Sequence, residues 1–231
     1  MRKLLLSGVA IAAISVAAEG PAKAAPPVIY NWTGCYIGGN IGGSKADKNF
    51  LPDFTTDGAG PAKPFGLAGG TQFGCDVQSG MWVFGAQGMF DWTDLSGDSP
   101  FRIGKGYTVR MPWFATAAGR VGYLPQPNLL VFFKGGAAFV RDQFQFVENN
   151  GLRVDAVAHS TRTGRLFAGG VEWMVVPNWS ITVEYDYMGF GTKVVDFQSI
   201  GFFPSFSNRV EQHVQAVLVS VNYRFGSGGG R

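Results

Sequence analysis

Charge is scarce in this chain. Asp, Glu, Lys and Arg supply 15% of its 231 residues, where a soluble domain carries about 25%. The scarcity does not signal disorder, which needs low hydrophobicity with high net charge, because 46% of the residues are hydrophobic. Only two cysteines are present, which excludes a disulfide scaffold and a cysteine-rich metal fold. The two histidines, His159 and His213, stand far apart with no cysteine nearby, so they make no metal site. Glycine follows no three-residue period, so a collagen helix is excluded. Beyond the N-terminus no uninterrupted apolar run reaches 18 residues, which excludes a transmembrane helix. If this chain sits in a bilayer, it does so as strands. What is abundant is glycine, at 34 residues, and aromatic side chains, at 14% with 20 phenylalanines.

The N-terminus sets the compartment. Arg2 and Lys3 precede the apolar run from Leu4 to Ala18, and small residues follow around Ala22-Lys23-Ala24. A positive start, a short apolar stretch and an A-x-A-like site read as a secretory signal peptide over residues 1–24. The run is shorter than the ~20 residues of a spanning helix. Removing this segment takes Arg2, Lys3 and Lys23 against Glu19, and the net charge falls from +3 to +1. No basic field then remains to neutralise phosphates, so nucleic acid is not an expected partner.

From Cys35 onward apolar residues recur with period two. Ile181, Val183, Tyr185 and Tyr187 face one way, and Thr182, Glu184 and Asp186 the other. Val217, Val219, Val221, Tyr223 and Phe225 alternate with Leu218, Ser220, Asn222 and Arg224; Phe167, Val171 and Trp173 oppose Ala168, Gly170 and Glu172. Phe84, Phe90 and Trp92 form a further such face. With segments around 35–44, 65–76, 113–123 and 129–141, this makes eight candidate strands of about the 9–11 residues that a tilted membrane strand needs. Three connections are tight: Val77 to Gly80, Leu124 to Asn128 and Val176 to Trp179. Four are long and polar, near 45–64, 93–108, 142–160 and 191–208. Strict alternation of short and long is the pattern of a bacterial transmembrane barrel, with short periplasmic turns and long extracellular loops. A secreted lipocalin-like barrel would turn its bulky face inward and need a richly charged exterior, and here the second face is mostly small or mildly polar. Trp32, Tyr123, Trp179 and Phe225 on the turn side, with Trp92, Trp113 and Phe190 on the loop side, suggest two aromatic girdles. The expected fold is therefore all-β, an eight-stranded antiparallel transmembrane β-barrel over residues 35–225. A periplasmic segment at 25–34 precedes it and a tail at 226–231 follows.

The stretch Asn31-Trp32-Thr33-Gly34-Cys35-Tyr36-Ile37-Gly38-Gly39-Asn40-Ile41-Gly42-Gly43 resembles the first strand of the alphaproteobacterial porin-family outer-membrane proteins, the group of the Brucella-type small surface proteins. The match continues at Trp82-Val83-Phe84-Gly85-Ala86, Gly119-Arg120-Val121-Gly122-Tyr123, Gly170-Val171-Glu172-Trp173, Pro177-Asn178-Trp179-Ser180 and Val221-Asn222-Tyr223-Arg224-Phe225. The resemblance implies an OmpA-like barrel in the outer membrane of a Gram-negative bacterium. It implies a surface and structural role, with no catalytic residues and no cofactor to carry over. The expected partners are outer-membrane lipid and lipopolysaccharide, the barrel-assembly machinery and unidentified loop ligands, with the chain itself a monomer. Two departures stand out. Cys35 and Cys75 occupy positions where such strands carry an aromatic residue, and residues 226–231 follow an aromatic residue at which these barrels usually end.

Several motifs invite a chemical reading. The glycines from Gly38 to Gly43 lack the Gly-Lys-Ser/Thr ending of a phosphate loop, and no helix pattern follows. Asp155, His159 and Ser160 mimic a nucleophile, base and orienter, but they fall in an expected loop, where such a set would not be held rigidly. Four charges are more informative. Arg120, Lys134, Glu172 and Glu184 all share the inward parity a few residues above the turns, so two cations and two anions are expected to meet in one lumen layer. An unpaired charge there would be expensive and a bonded cluster tolerable, which implies a plugged barrel. The alternative role, a narrow porin for small solutes or ions, is disfavoured by strand number, since eight strands enclose only side chains. Finally, Cys35 opens the first strand and Cys75 closes the second, so the two should lie side by side at the periplasmic rim in an oxidising compartment. Whether they bond stays open, because flat cross-strand bridges are strained and a one-residue slip would separate them.

Overall fold

Eight antiparallel strands form a closed barrel in a computed structural model that describes residues 30–51, 62–100, 106–148, 153–199 and 206–225. The strands are β1 (Gly34–Leu51), β2 (Phe65–Ser79), β3 (Trp82–Pro100), β4 (Gly106–Gln126), β5 (Leu129–Glu148), β6 (Arg153–Val176), β7 (Trp179–Ser199) and β8 (Phe206–Phe225). Each pairs with its sequence neighbour, and β1 closes on β8 from Cys35↔Phe225 to Leu51↔Arg209. Closure leaves no unpaired outer edge strand, the condition for crossing hydrocarbon without helices. The expected signal peptide at 1–24, most of the segment at 25–34 and the tail at 226–231 lie outside the described residues.

The period-two pattern explains which side faces lipid. Ile37, Ile41, Phe73, Phe84, Phe133, Phe167, Val183, Val217 and Val219 are exposed on the outer wall, while their strand neighbours point into a packed lumen. The three turns on one side are two-residue hairpins. Gly80 supplies a positive φ of 61° between Ser79 and Trp82, as a primed turn requires. In the β6–β7 turn Pro177 presets its own φ and Asn178 takes the left-handed region at 74°, the combination of a type II turn.

Two expectations change. The strands run 15 to 24 residues, well beyond the 9–11 of a membrane crossing, because pairing continues past the apolar band into stretches read as loops. His159 and Ser160 consequently sit within β6, where they occupy adjacent positions, one exposed outward and the other buried inward. Adjacent strand residues point to opposite faces, so the two cannot act together. The described structure also corrects the girdle. Trp82, Trp92, Tyr123, Trp179, Tyr223 and Phe225 are outside, with Trp82 and Tyr123 rings 5.3 Å apart and Trp179 and Tyr223 rings 5.1 Å apart. Trp32 and Phe190, however, are buried in the interior. Trp32 precedes β1, so no strand parity governs it; Phe190 keeps the even, inward parity of Glu184, Asp186 and Met188, and the register shift in β7 reverses the facing only beyond it.

Candidate functional site in the barrel lumen

Because inward positions recur on every strand, the lumen is built as layers. The lowest is apolar. Residues 30–33 fold up under the barrel mouth, and Trp32 packs with Val83, Leu124, Leu130, Phe132 and Met174. Its indole Nε1 donates to the carbonyl of Pro127 at 2.9 Å, and its backbone N–H donates to Gln78 Oε1 at 3.1 Å.

Directly above lies a ring of alternating charge. Arg120, on β4, places Nη2 2.8 Å from Glu172 Oε2 on β6 and Nε 3.2 Å from Asp76 Oδ1 on β2. Arg224, on β8, places Nη2 2.9 Å from Asp76 Oδ2 and 3.7 Å from Glu172 Oε1. Two guanidiniums and two carboxylates thus neutralise one another across the barrel. Ser180 Oγ donates to Glu172 Oε1 at 2.6 Å, Arg120 Nη1 donates to the Tyr36 hydroxyl at 3.0 Å, and Arg224 Nη1 donates to the Trp32 carbonyl at 2.6 Å. Both guanidiniums also stack near the Tyr36 ring, at 5.4 and 4.9 Å, a cation–π arrangement. All four charged side chains are no more than 5% exposed. Space is tight: a Cβ at Gly85 would strike the Asp76 carboxylate, and one at Gly74 would strike the Tyr36 ring.

A second group follows. Lys134 Nζ sits 2.7 Å from Glu184 Oε1 and donates to Gln87 Oε1 at 2.8 Å. Gln72, Asn222 and Thr182 continue a hydrogen-bonded chain. Asn40, Asp91 and Asp186 are also buried in the wall's inward face. The four charges singled out from sequence are therefore brought into two pairs, Arg120–Glu172 and Lys134–Glu184, and not into one quartet. Strand tilt in a closed barrel staggers residues that lie equally far from their turns.

Higher still, an apolar plug including Leu95, Met111, Phe114, Val140, Leu166, Met188, Phe190 and Leu218 fills the cross-section. Above it Lys48 Nζ lies 2.6 Å from Asp142 Oδ1, and Arg162 Nε lies 3.5 Å from Asp142 Oδ2. Gln212 Nε2 donates to the same carboxylate at 3.3 Å and Arg162 Nη1 to the Val210 carbonyl at 2.8 Å. The sequence reading missed Asp76 and Arg224, although both have inward parity. It missed Lys48 and Asp142 because their segments were assigned to loops, where parity has no meaning, and with Asp142 it lost the partner of Arg162, two residues beyond the assigned loop.

At the periplasmic rim Cys35 and Cys75 are direct register partners. Their Cα atoms are 3.9 Å apart and a disulfide joins them, with sulfurs 2.07 Å apart. Among the described residues no cluster of His, Cys, Asp and Glu is arranged to hold a metal ion.

Residues 8–225 match the family model of the outer membrane protein beta-barrel domain. The chain is 30% identical to the 31 kDa outer-membrane immunogenic protein of Brucella melitensis, across 94% of this chain and 93% of that protein. A shorter similarity, 30% identity over 44% of this chain and 28% of the relative, links it to outer membrane protein P5 of Haemophilus influenzae. Among solved structures, the outer membrane protein OprG of Pseudomonas aeruginosa superposes with a TM-score of 0.54 at 9% identity, covering 86% of this chain and 100% of that one, a likeness of fold.

Proposed function

The chain belongs to the family of outer-membrane protein β-barrel domains, and from that premise we propose that it serves the envelope as a closed surface barrel. It adds a rigid protein element to the outer membrane and carries four long connections on the extracellular side. It acts as a monomer, inserted by the barrel-assembly machinery and solvated by outer-membrane lipid and lipopolysaccharide, and it catalyses nothing. The observation that carries this reading is the filled lumen. The Asp76–Arg120–Glu172–Arg224 ring, the Trp32 floor beneath it and the apolar plug above stand in the way of a polar route through the described lumen. Opening one would mean separating buried ion pairs from their partners, a cost of several kcal/mol for each.

Planar-bilayer recording of the purified, folded protein tests the proposal. Little or no steady conductance is the expected result. Large, stable open-channel steps would overturn it in favour of a narrow porin.

A further inference from the structure

The barrel wall is incomplete between β6 and β7. Their pairing runs from the turn up to Arg165↔Gly189, stops, and resumes only at Val157↔Gln198. Across the gap, residues 158–164 pair with β5 alone and residues 191–197 with β8 alone. The lower end of the gap coincides with a bulge. The β7–β8 register shifts between Gly189 and Gly191, and Gly191 takes a positive φ of 59°, as an inserted residue in one strand produces. Lys193 reaches across the seam and donates Nζ to the Thr161 carbonyl at 2.8 Å, satisfying one of the edge groups left by the gap.

A cleft of about 520 Å³ opens outward at this point, lined by Phe167, Tyr187 and Phe190 over a floor thinned by Gly164, Gly189 and Gly191, with Arg165 at its rim. Arg165 lies eleven residues above Val176. At about 3.3 Å per residue and a tilt of ~40°, it stands roughly 28 Å above the turns, at the upper border of an apolar band about 25 Å tall.

On the β4–β6 side of the cleft the described outward charge is all positive. Arg110, Arg141 and Arg165 are exposed on the outer face, and Lys193, whose register partner Val210 faces the lumen, is exposed where it crosses the seam. Arg141 is opposite Thr161, the residue Lys193 bonds, and Arg110 is opposite Gln143, two places from Arg141. Among the residues whose side chains are described, β4, β5 and β6 present no outward carboxylate. The flanking acids have partners of their own: Thr108 donates to Asp98 at 2.9 Å, Ser207 donates to Asp196 at 2.6 Å, and Glu211, opposite Thr192 on β8, lies 3.4 Å from His213 Nε2.

We propose that the β6–β7 seam is a binding site for one phosphate-bearing lipid of the outer leaflet, with its phosphate on Arg165 and Lys193 and an acyl chain in the cleft over Phe190. A soluble anion would make no use of an aromatic cleft that faces hydrocarbon, and an uncharged lipid would make no use of the outward arginines and the seam lysine. The site depends on the outer-membrane placement and is independent of whether the lumen is plugged.

The test uses the folded mature chain in detergent micelles, with lipid A as probe and retention read by native mass spectrometry. The double variant Arg165→Gln/Lys193→Gln should retain lipid A about thirtyfold less than wild type, the size expected from two lost cation–phosphate attractions. Lys45→Gln, a cation on β1 already 3.3 Å from Asp47, should change nothing. Gly189→Leu should also reduce retention, because a Cβ there has room, its nearest neighbours being 3.8 Å away, while the longer side chain fills the cleft. Heat-modifiable gel mobility, unchanged in each variant, confirms that the barrel is folded. Three results would overturn the proposal: equal retention by the double variant and Lys45→Gln, equal retention of chemically dephosphorylated lipid A, or displacement of lipid A by inorganic phosphate alone. Undiminished retention by Gly189→Leu would refute the acyl-chain half.

Discussion

Glu172→Gln is the sharpest probe of the lumen. Glu172 is fully buried and receives Arg120 at 2.8 Å and Ser180 at 2.6 Å, with Arg224 at 3.7 Å. Glutamine keeps the shape and one acceptor oxygen but removes the charge, leaving two guanidiniums to share Asp76 in a dry cross-section. Breaking a buried ion pair by deleting one partner costs about 3–5 kcal/mol, because the remaining charge stays desolvated. The substitution should therefore lower the midpoint of urea unfolding from lipid vesicles by that free-energy equivalent, followed by tryptophan fluorescence and by the shifted gel band of the folded form. Adding Arg120→Met restores neutrality. The double variant should accordingly be more stable than the sum of the singles predicts by about 2 kcal/mol, the coupling expected of residues in one network. If Glu172→Gln falls within about 0.5 kcal/mol of wild type, the range of ordinary surface changes, water bathes the ring, and the argument for a sealed lumen fails with it.

Asp142→Asn in the upper cluster leaves Lys48 and Arg162 unopposed and should cost about 3 kcal/mol in the same unfolding assay; a neutral effect would mean that this layer is hydrated. Trp32→Ala removes the floor's largest side chain and its bond to Pro127, with an expected loss of about 3 kcal/mol, and a loss under about 1 kcal/mol would show that the N-terminal segment does not close the mouth. Alkylation of the denatured, unreduced mature protein should find no free thiol. Cys35→Ser/Cys75→Ser should lose about 4 kcal/mol, the loop-closure value for cysteines 40 residues apart. Two reactive thiols would refute the bond.

Much of the barrel was legible because strand parity is a local property. A side chain's facing follows from counting by twos, so Arg120, Lys134, Glu172 and Glu184 could be assigned to the interior without knowing any partner strand. The turns were legible for the same reason: Gly80, Pro127 and Pro177-Asn178 carry their backbone demands in their own chemistry. Strand ends were not. Nothing local marks where an apolar band ends while hydrogen bonding continues, so residues 45–51, 142–148 and 153–160 read as loops, and Lys48 and Asp142, the partners that gather around Arg162, went with them.

The sequence by itself determined that this chain is exported, that it crosses its membrane as eight alternating strands, and which face of each strand is buried. Tertiary structure alone decided which buried charges meet. Pairing across the lumen depends on the stagger imposed when β1 closes on β8, a property of the whole ring, and that stagger joins Arg120 with Glu172 and Asp76 while assigning Lys134 to Glu184. It also decided that Trp32, outside any strand, turns inward, and that one extra residue at Phe190 parts β7 from β6. Closure is a long-range constraint, and no window of sequence contains it.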